Sequence, residues 1–421
     1  MYHDAMPGTA EYLAGSAPVS GYIGFDPTAA SLHIGNLATI MLLVHLQRAG
    51  HRPVALVGGA TGMIGDPSGK SSERNLLDEN TLRTNQAGIR AQLAKFLEFN
   101  DSPTGAVLVN NYDWFKEFSF LGFLRDVGKH LTVNYMMAKD SVKRRIGGNE
   151  DSGADGISYT EFSYQLLQGY DFYHLYKELG CTLQMGASDQ WGNITTGTEL
   201  IRRMGGAEAK AYALTGQLIT KADGTKYGKS ETGTVWLDPA LTSPYQFYQF
   251  FLNSADLEAP RLIRVFTLLG ETEINALEVE HAQEPNRRVL QKALARDVTI
   301  RVHSEAAYEA AVAASEVLFG RGDLAALDEA TLRDVFAGVP NLTVPRADAL
   351  ATSVAVLLSE ATEKQVLPSR GEVRKLIQAN GLSANGQKLT SPDTPVADLP
   401  LLHDKYVVIK KGKSYFLLEL V

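Results

Sequence analysis

The chain has 421 residues, long for a single hydrophobic core, and its 44% hydrophobic and 21% charged composition is that of a globular protein with two or three domains. Its one cysteine, Cys181, excludes a disulfide framework and a cysteine-rich zinc site, and no apolar run reaches spanning length. A formal net charge of −8 argues against a general nucleic-acid coat protein.

Residues 1–20 are small and polar without clear periodicity and read as an irregular lead-in. Tyr22 to Phe25 reads as a short strand, ended by Asp26-Pro27-Thr28. From Ser31, the apolar residues Leu37, Ile40, Met41 and Val44 recur at helical spacing until Gly50. A buried-type strand at 53–57 leads into the turn-rich GGATGMIGDPSGK, then a helix at about 81–99, a strand at 107–109 and a helix from Trp114. Strand and helix alternate, which predicts an α/β fold with a doubly wound parallel sheet.

Residues 147–156 are glycine-rich and acidic and are expected as a surface loop. A helix at 160–179, a strand at 182–185 and a helix at 191–204 follow, then a lysine- and glycine-rich loop at 221–230. From Ser243 to about Leu327 the pattern is helical, and the tail returns to a helix at 370–380 and β-type runs at 406–409 and 415–418. The expected domains are a Rossmann-like domain at 1–235, an all-helical domain at 236–336, a linker region at 337–363 and a small α+β module at 364–421. Residues 365–421 hold eight Lys/Arg against five Asp/Glu, which leaves 32 against 43 elsewhere. An acidic body with a mildly basic tail is compatible with RNA binding confined to the tail, and equally with chance.

Several constellations bear chemistry. His33-Ile34-Gly35-Asn36 sits at the predicted start of a helix, where free N–H donors and a partial positive charge attract phosphate; a histidine there is also a common cap or core group. Lys226 and Lys229, in KADGTKYGKS, are placed to close over a triphosphate or simply to be solvated. Tyr164, Gln168 and Asp171 stand at i, i+4 and i+7 on a helix whose other faces are largely apolar, which favours a pocket lining over a solvent stripe. GDPSGKS is not a Walker loop, because only three residues separate Gly65 from Gly69 and Ile64 stands where glycine is required. Asp66 is instead a candidate partner for an ammonium group, and Asp189 with Gln190 ends a predicted strand where an acid commonly accepts ribose hydroxyls.

With these residues in place the chain resembles the bacterial-type tyrosyl-tRNA synthetases of class I. The matching stretches include GFDPTAASLHIGN, NNYDW, FLRDVGKH, VNYMMAKDSV, TEFSYQLLQGYDF, SDQWGNITTG and TKADGTKYGKS, in order over about residues 20–250. The resemblance implies that Tyr22 and Asp171 bind the substrate phenol, and that Asp66, Tyr164 and Gln168 hold its ammonium group with Gln190 near its carboxylate. It implies that Thr28, His33, Lys226, Lys229 and Ser230 surround the pyrophosphate, with Lys70 and Arg74 near phosphate or the tRNA end. Gly24, Asp26, Gly35, Asn36, Gly186 and Asp189 then complete the ATP site. ATP as substrate, Mg²⁺ not held tightly by the protein, tRNA(Tyr) as partner, an anticodon-recognising helical domain, an RNA-binding tail, a homodimer and a cytoplasmic location are implied in the same way, with no role for DNA or membrane. Three features depart from the family pattern: Asn36 where histidine usually stands, Ala187 where glycine is common, and a short lead-in without the usual amphipathic helix. A tryptophan-activating relative, a small adenylyltransferase and a catalytically silent RNA-binding descendant are the rival readings.

Overall fold

The computed structural model describes residues 2–15, 18–66, 79–146, 156–206, 208–220, 227–230, 233–318, 322–412 and 414–421, with the side chains of 145, 229, 230 and 318 left out. These form two compact units, residues 1–241 with 254–302, and residues 242–253 with 303–421.

The first unit is built on six strands: β1 (Tyr2–Ala5), β2 (Ser20–Phe25), β3 (Arg52–Val57), β4 (Val107–Asn110), β5 (Cys181–Ala187) and β6 (Tyr212–Gly216). Their spatial order is β1-β6-β5-β2-β3-β4, with every pair parallel except the antiparallel edge pair β1 and β6. The lead-in is therefore ordered, contrary to expectation: it supplies β1 and the short helix α1 (Thr9–Gly15), and Tyr12 stacks on Tyr212 at 4.2 Å. An edge strand needs only one partner, so a segment without strong alternation can still pair there.

Helix α2 (Ile34–Arg48) approaches β2 so closely that a Cβ on Gly21 would lie 2.9 Å from Leu46 Cδ2. Alternate strand residues face opposite ways, so Tyr22, Val54 and Leu56 pack on the other face with Phe172, Leu175 and Ile201. Those partners come from α3 (Tyr159–Leu179) and α4 (Trp191–Gly205). Helix α3 begins where Ser158 accepts a hydrogen bond from the Glu161 backbone N–H and ends at Gly180 in the left-handed region.

The second unit carries a five-stranded sheet of order β11-β10-β12-β13-β9, where β9 is Asn341–Val344, β10 Leu382–Ala384, β11 Gln387–Lys388, β12 Tyr406–Lys411 and β13 Ser414–Leu420. Only β9 and β13 pair in parallel. The stretch 337–363, expected as a linker, holds β9 and puts Val344, Ala349, Val354, Leu357 and Leu358 into the core of this unit. Burial of those apolar side chains is what a solvated linker would forgo. The helices expected as one domain divide between the units: Ala259–Phe266, Glu271–Gln283 and Val289–Val302 belong to the first, Pro244–Leu252, Glu305–Leu318 and Glu329–Val335 to the second.

Candidate active site

The chain leaves β2 for β3 on one side and returns to β5 on the other, so the strand order reverses between β2 and β5. Ligands of such sheets bind outside the carboxyl ends of the strands at that switch. A cavity of about 340 Å³ opens there. Tyr22 and Gly24 enter it from β2, Asp26 and Thr28 from the following turn, and His33, Gly35 and Asn36 from the start of α2. Tyr164, Gln168 and Asp171 line it from one face of α3, Gly186 from β5, Asp189 and Gln190 from the turn after β5, and Asp66 from the segment after β3. The sequence-predicted residues that are described with their side chains thus share one cavity. Lys226, with Lys70 and Arg74, lies outside the described residues, as does the loop at 147–155; Lys229 and Ser230 are placed by backbone alone.

At the deep end, Asp171 is 2% exposed and accepts hydrogen bonds from Asn111 Nδ2 at 3.0 Å and Trp114 Nε1 at 2.9 Å. Burial holds its carboxyl well above the usual carboxylate range, against the downward pull of those two donors. Among the described residues the buried Tyr22 hydroxyl has no hydrogen-bond partner. Burial, with the charge of Asp171 adding to it, pushes this phenol up and keeps it protonated. A buried orphan hydroxyl beside a carboxylate with lone pairs to spare is a place for one more hydroxyl.

A polar chain runs from this end along the floor. Asn111 Nδ2 also donates to Thr61 Oγ1 at 3.0 Å, Thr61 donates to Asp26 Oδ1 at 2.7 Å, and the Tyr164 hydroxyl donates to Asp26 Oδ2 at 2.8 Å. Further along, Gln190 Nε2 donates to Asp66 Oδ2 at 2.7 Å, while the buried Gln168 Oε1 has no partner among the described residues. Asn111, Trp114 and Thr61 escaped the sequence reading as site residues. NNYDW was noticed as a stretch, but nothing in its spacing tells that it reaches a helix some sixty residues on.

At the open end, Asn36 Oδ1 accepts the His33 backbone N–H at 3.1 Å, which leaves Nδ2 as the donor edge of this amide. A side chain at Gly35 would displace the His33 imidazole, since a Cβ there would lie 2.8 Å from His33 Cε1. Ala187, the last residue of β5, also lines the cavity. Strands β7 (Lys229–Ser230) and β8 (Gly233–Thr234) pair with each other, and the chain beside them is tied to the start of α2. Val235 N–H donates to Gly228 O at 2.9 Å, and Ile34 N–H donates to Val235 O at 3.1 Å. Gly228 has φ +103°, and a Cβ on it would come within 3.2 Å of the Gly35 nitrogen. The backbone at 227–230 and the helix N-terminus, some 190 residues apart in sequence, therefore meet at the mouth of one cavity. Cys181 takes no part: burial pushes its thiol up to about 12, far from a thiolate nucleophile.

A parallel sheet with a crevice at its switch point and a helix N-terminus at the mouth is the arrangement of a class I tRNA synthetase. Residues 15–320 match the family model described as tRNA synthetases class I (W and Y), and residues 331–418 match the Tyrosine--tRNA ligase SYY-like C-terminal domain. The chain is 60% identical to the tyrosine–tRNA ligase of Cytophaga hutchinsonii, covering 100% of this chain and 97% of that protein. It is 59% identical to that of Bacteroides fragilis, covering 99% and 97%. Among solved structures it resembles a C-terminally truncated mitochondrial tyrosyl-tRNA synthetase of Aspergillus nidulans, with a TM-score of 0.66 and 29% identity over 76% of this chain and 91% of that one. The corresponding enzyme of Coccidioides posadasii gives 0.63 and 31% over 74% and 88%. The chain belongs to the tyrosine–tRNA ligase family.

Proposed function

We propose that this protein activates L-tyrosine with ATP to tyrosyl-adenylate and pyrophosphate, then transfers tyrosine to the 3′ end of tRNA(Tyr). The observation that carries the choice of amino acid is the unpartnered Tyr22 hydroxyl beside Asp171. A substrate phenol donates to Asp171 and accepts from Tyr22; phenylalanine leaves both unpaired, and an indole does not match the pair. Asp66, Tyr164 and the unpartnered Gln168 Oε1 are acceptors for the three donors of the substrate ammonium. That orientation carries the substrate carboxylate, beside Gln190, toward the mouth.

There the carboxylate oxygen attacks the α-phosphorus of ATP, an O–P bond forms, and the bond to pyrophosphate breaks. The nucleophile belongs to the substrate, so the protein's work is positioning and stabilising charge on the leaving group. Thr28, His33, Lys226, Lys229 and Ser230 take the pyrophosphate side, the helix N-terminus adding its partial charge. Asn36, Asp189 and the backbone at Gly186 hold the ribose, while Gly24, Asp26 and Gly35 leave room beside the nucleotide. Mg²⁺ arrives on the triphosphate as part of the substrate. In the second step a terminal ribose hydroxyl of tRNA attacks the acyl carbon and AMP leaves.

Residues 1–235 carry activation in this reading, 236–336 recognise the anticodon and 364–421 bind tRNA. A second copy packs on the apolar face where Phe120, Leu121 and Val133 are exposed. The cytoplasm is the proposed compartment; among the described residues no helix is long and apolar enough to cross a membrane. Amino-acid-dependent ATP–pyrophosphate exchange on the purified protein tests the reading. Exchange with tyrosine and not with tryptophan is expected; exchange with neither would overturn it.

A further inference from the structure

We propose that Tyr227 is a positioning residue for tyrosine activation, tethering the backbone that carries Lys229 to Ser254. The proposal rests on the function given above and goes beyond it, because Tyr227 lies beside the phosphate-facing groups and has no role in the chemistry so far described.

The Tyr227 ring is buried and stacks on Phe266 at 5.9 Å. Phenylalanine would fill that place equally well, so packing alone does not account for the hydroxyl. The hydroxyl reaches Ser254 Oγ at 3.3 Å. Burial pushes it above its ordinary pKa, so it stays a protonated donor. Ser254 is itself a fixed anchor: it is buried, and its carbonyl accepts from Arg288 at 2.9 Å and from Gln291 at 3.4 Å. Gln291 is wholly buried and also donates to Asp256 Oδ1 at 2.6 Å.

The backbone on either side of the ring runs to the cavity. Tyr227 N–H donates to Ile219 O at 3.0 Å, and the next residue is Gly228, held at φ +103° where a Cβ would stand 3.2 Å from the Gly35 nitrogen. Lys229 follows directly and begins β7. Loosening the ring therefore lets Gly228 and Lys229 shift against the helix N-terminus, where charge on the departing pyrophosphate is greatest in the transition state. Tyr22 and Asp171, assigned to the substrate phenol, come from other elements, β2 and α3. The tether should thus act on kcat and leave the KM for tyrosine alone.

The test uses the full-length wild type with Tyr227→Phe, Ser254→Ala and the double variant, measured by ATP–pyrophosphate exchange and by thermal melting. One neutral hydrogen bond corresponds to a fall in kcat of roughly fivefold. That fall is expected in each single variant with tyrosine KM unchanged, and the double variant should be no slower than either single one. Tyr227→Phe and Ser254→Ala each remove a single oxygen, from opposite ends of the same contact, so agreement between them guards against a folding defect peculiar to one. A hydrogen bond that serves stability alone would lower the melting temperature with kcat intact, and an unchanged kcat, with or without that drop, or a rise in tyrosine KM alone, would overturn the proposal. Wild type without exchange would instead strike the functional reading itself.

Discussion

Asp171→Asn separates the charge of this residue from its shape. Both carboxylate oxygens now accept, from Asn111 and from Trp114. An amide of the same size turns one acceptor into a donor, so one neighbouring N–H faces another N–H, and the substrate phenol loses an anionic acceptor. A hydrogen bond to a charged group contributes about 1.5–3 kcal/mol, which is roughly one to two orders of magnitude in kcat/KM for tyrosine. Phenylalanine makes no such bond, so its own slow exchange should hardly change and discrimination should fall by the same factor. Stability moves differently. Because burial raises the Asp171 pKa, the folded state holds this proton more firmly than the unfolded chain does. The contribution of that proton is present in acid and is lost as pH rises through the folded pKa, so ionising Asp171 opposes folding. The asparagine relieves that opposition and adds one mispaired donor, and the two effects offset, leaving the melting temperature within a few degrees of wild type. Pyrophosphate exchange titrated with tyrosine and with phenylalanine, alongside a melt at neutral pH, reads all three quantities. Unchanged kcat/KM for tyrosine would refute the assignment of Asp171 to the phenol.

Trp114→Phe keeps a ring against His174, on which Trp114 now stacks at 4.3 Å, but removes one donor to Asp171; tyrosine KM should rise by roughly fivefold to tenfold with kcat little altered, read from the same exchange assay. Gly35→Ala forces His33 aside, since its Cβ would come within 3.0 Å of Nδ1, so kcat should drop at least tenfold while the KM for tyrosine holds. Glu199, paired with Arg202 at 2.8 Å and Arg203 at 2.6 Å, has its carboxyl drawn from an ordinary 4.5 to about 2, first by the Arg202 hydrogen bond. A depressed carboxylate stabilises the fold above its unfolded value and loses that contribution as pH falls toward the folded one. Glu199→Gln should therefore lower the urea midpoint at pH 7 and differ progressively less from wild type between about pH 4.5 and 2.

The parallel sheet was legible because its strands are short apolar runs spaced by helical periodicity, a signal that needs no knowledge of the third dimension. The same holds for Tyr164, Gln168 and Asp171: a polar row on an apolar helix identifies a pocket face before any neighbour is known. Corrections came where local pattern and tertiary role part company. Residues 2–5 form a strand only because β6 offers an open edge, and residues 337–363 look like a spacer until Val344 and Leu358 are seen inside a core shared with β12 and β13.

Asn111 and Trp114 fall in the same category, and they matter most for chemistry. Their side chains are ordinary in sequence, one at a strand end and one in a single helical turn. Their consequence lies in what Asp171 would be without them: a carboxyl already raised by burial, with both donors gone, would rise further toward the neutral acid. A neutral acid can donate to a phenol oxygen but no longer offers the anionic acceptor that sets tyrosine apart from phenylalanine. The two donors thereby keep the floor of the slot an acceptor, and Tyr22 beside it supplies the complementary donor. Selectivity in this site is a property of four side chains from three segments of chain, and of these only Asp171, by its place in a polar row on an apolar helix, carries a pattern that one sequence can display.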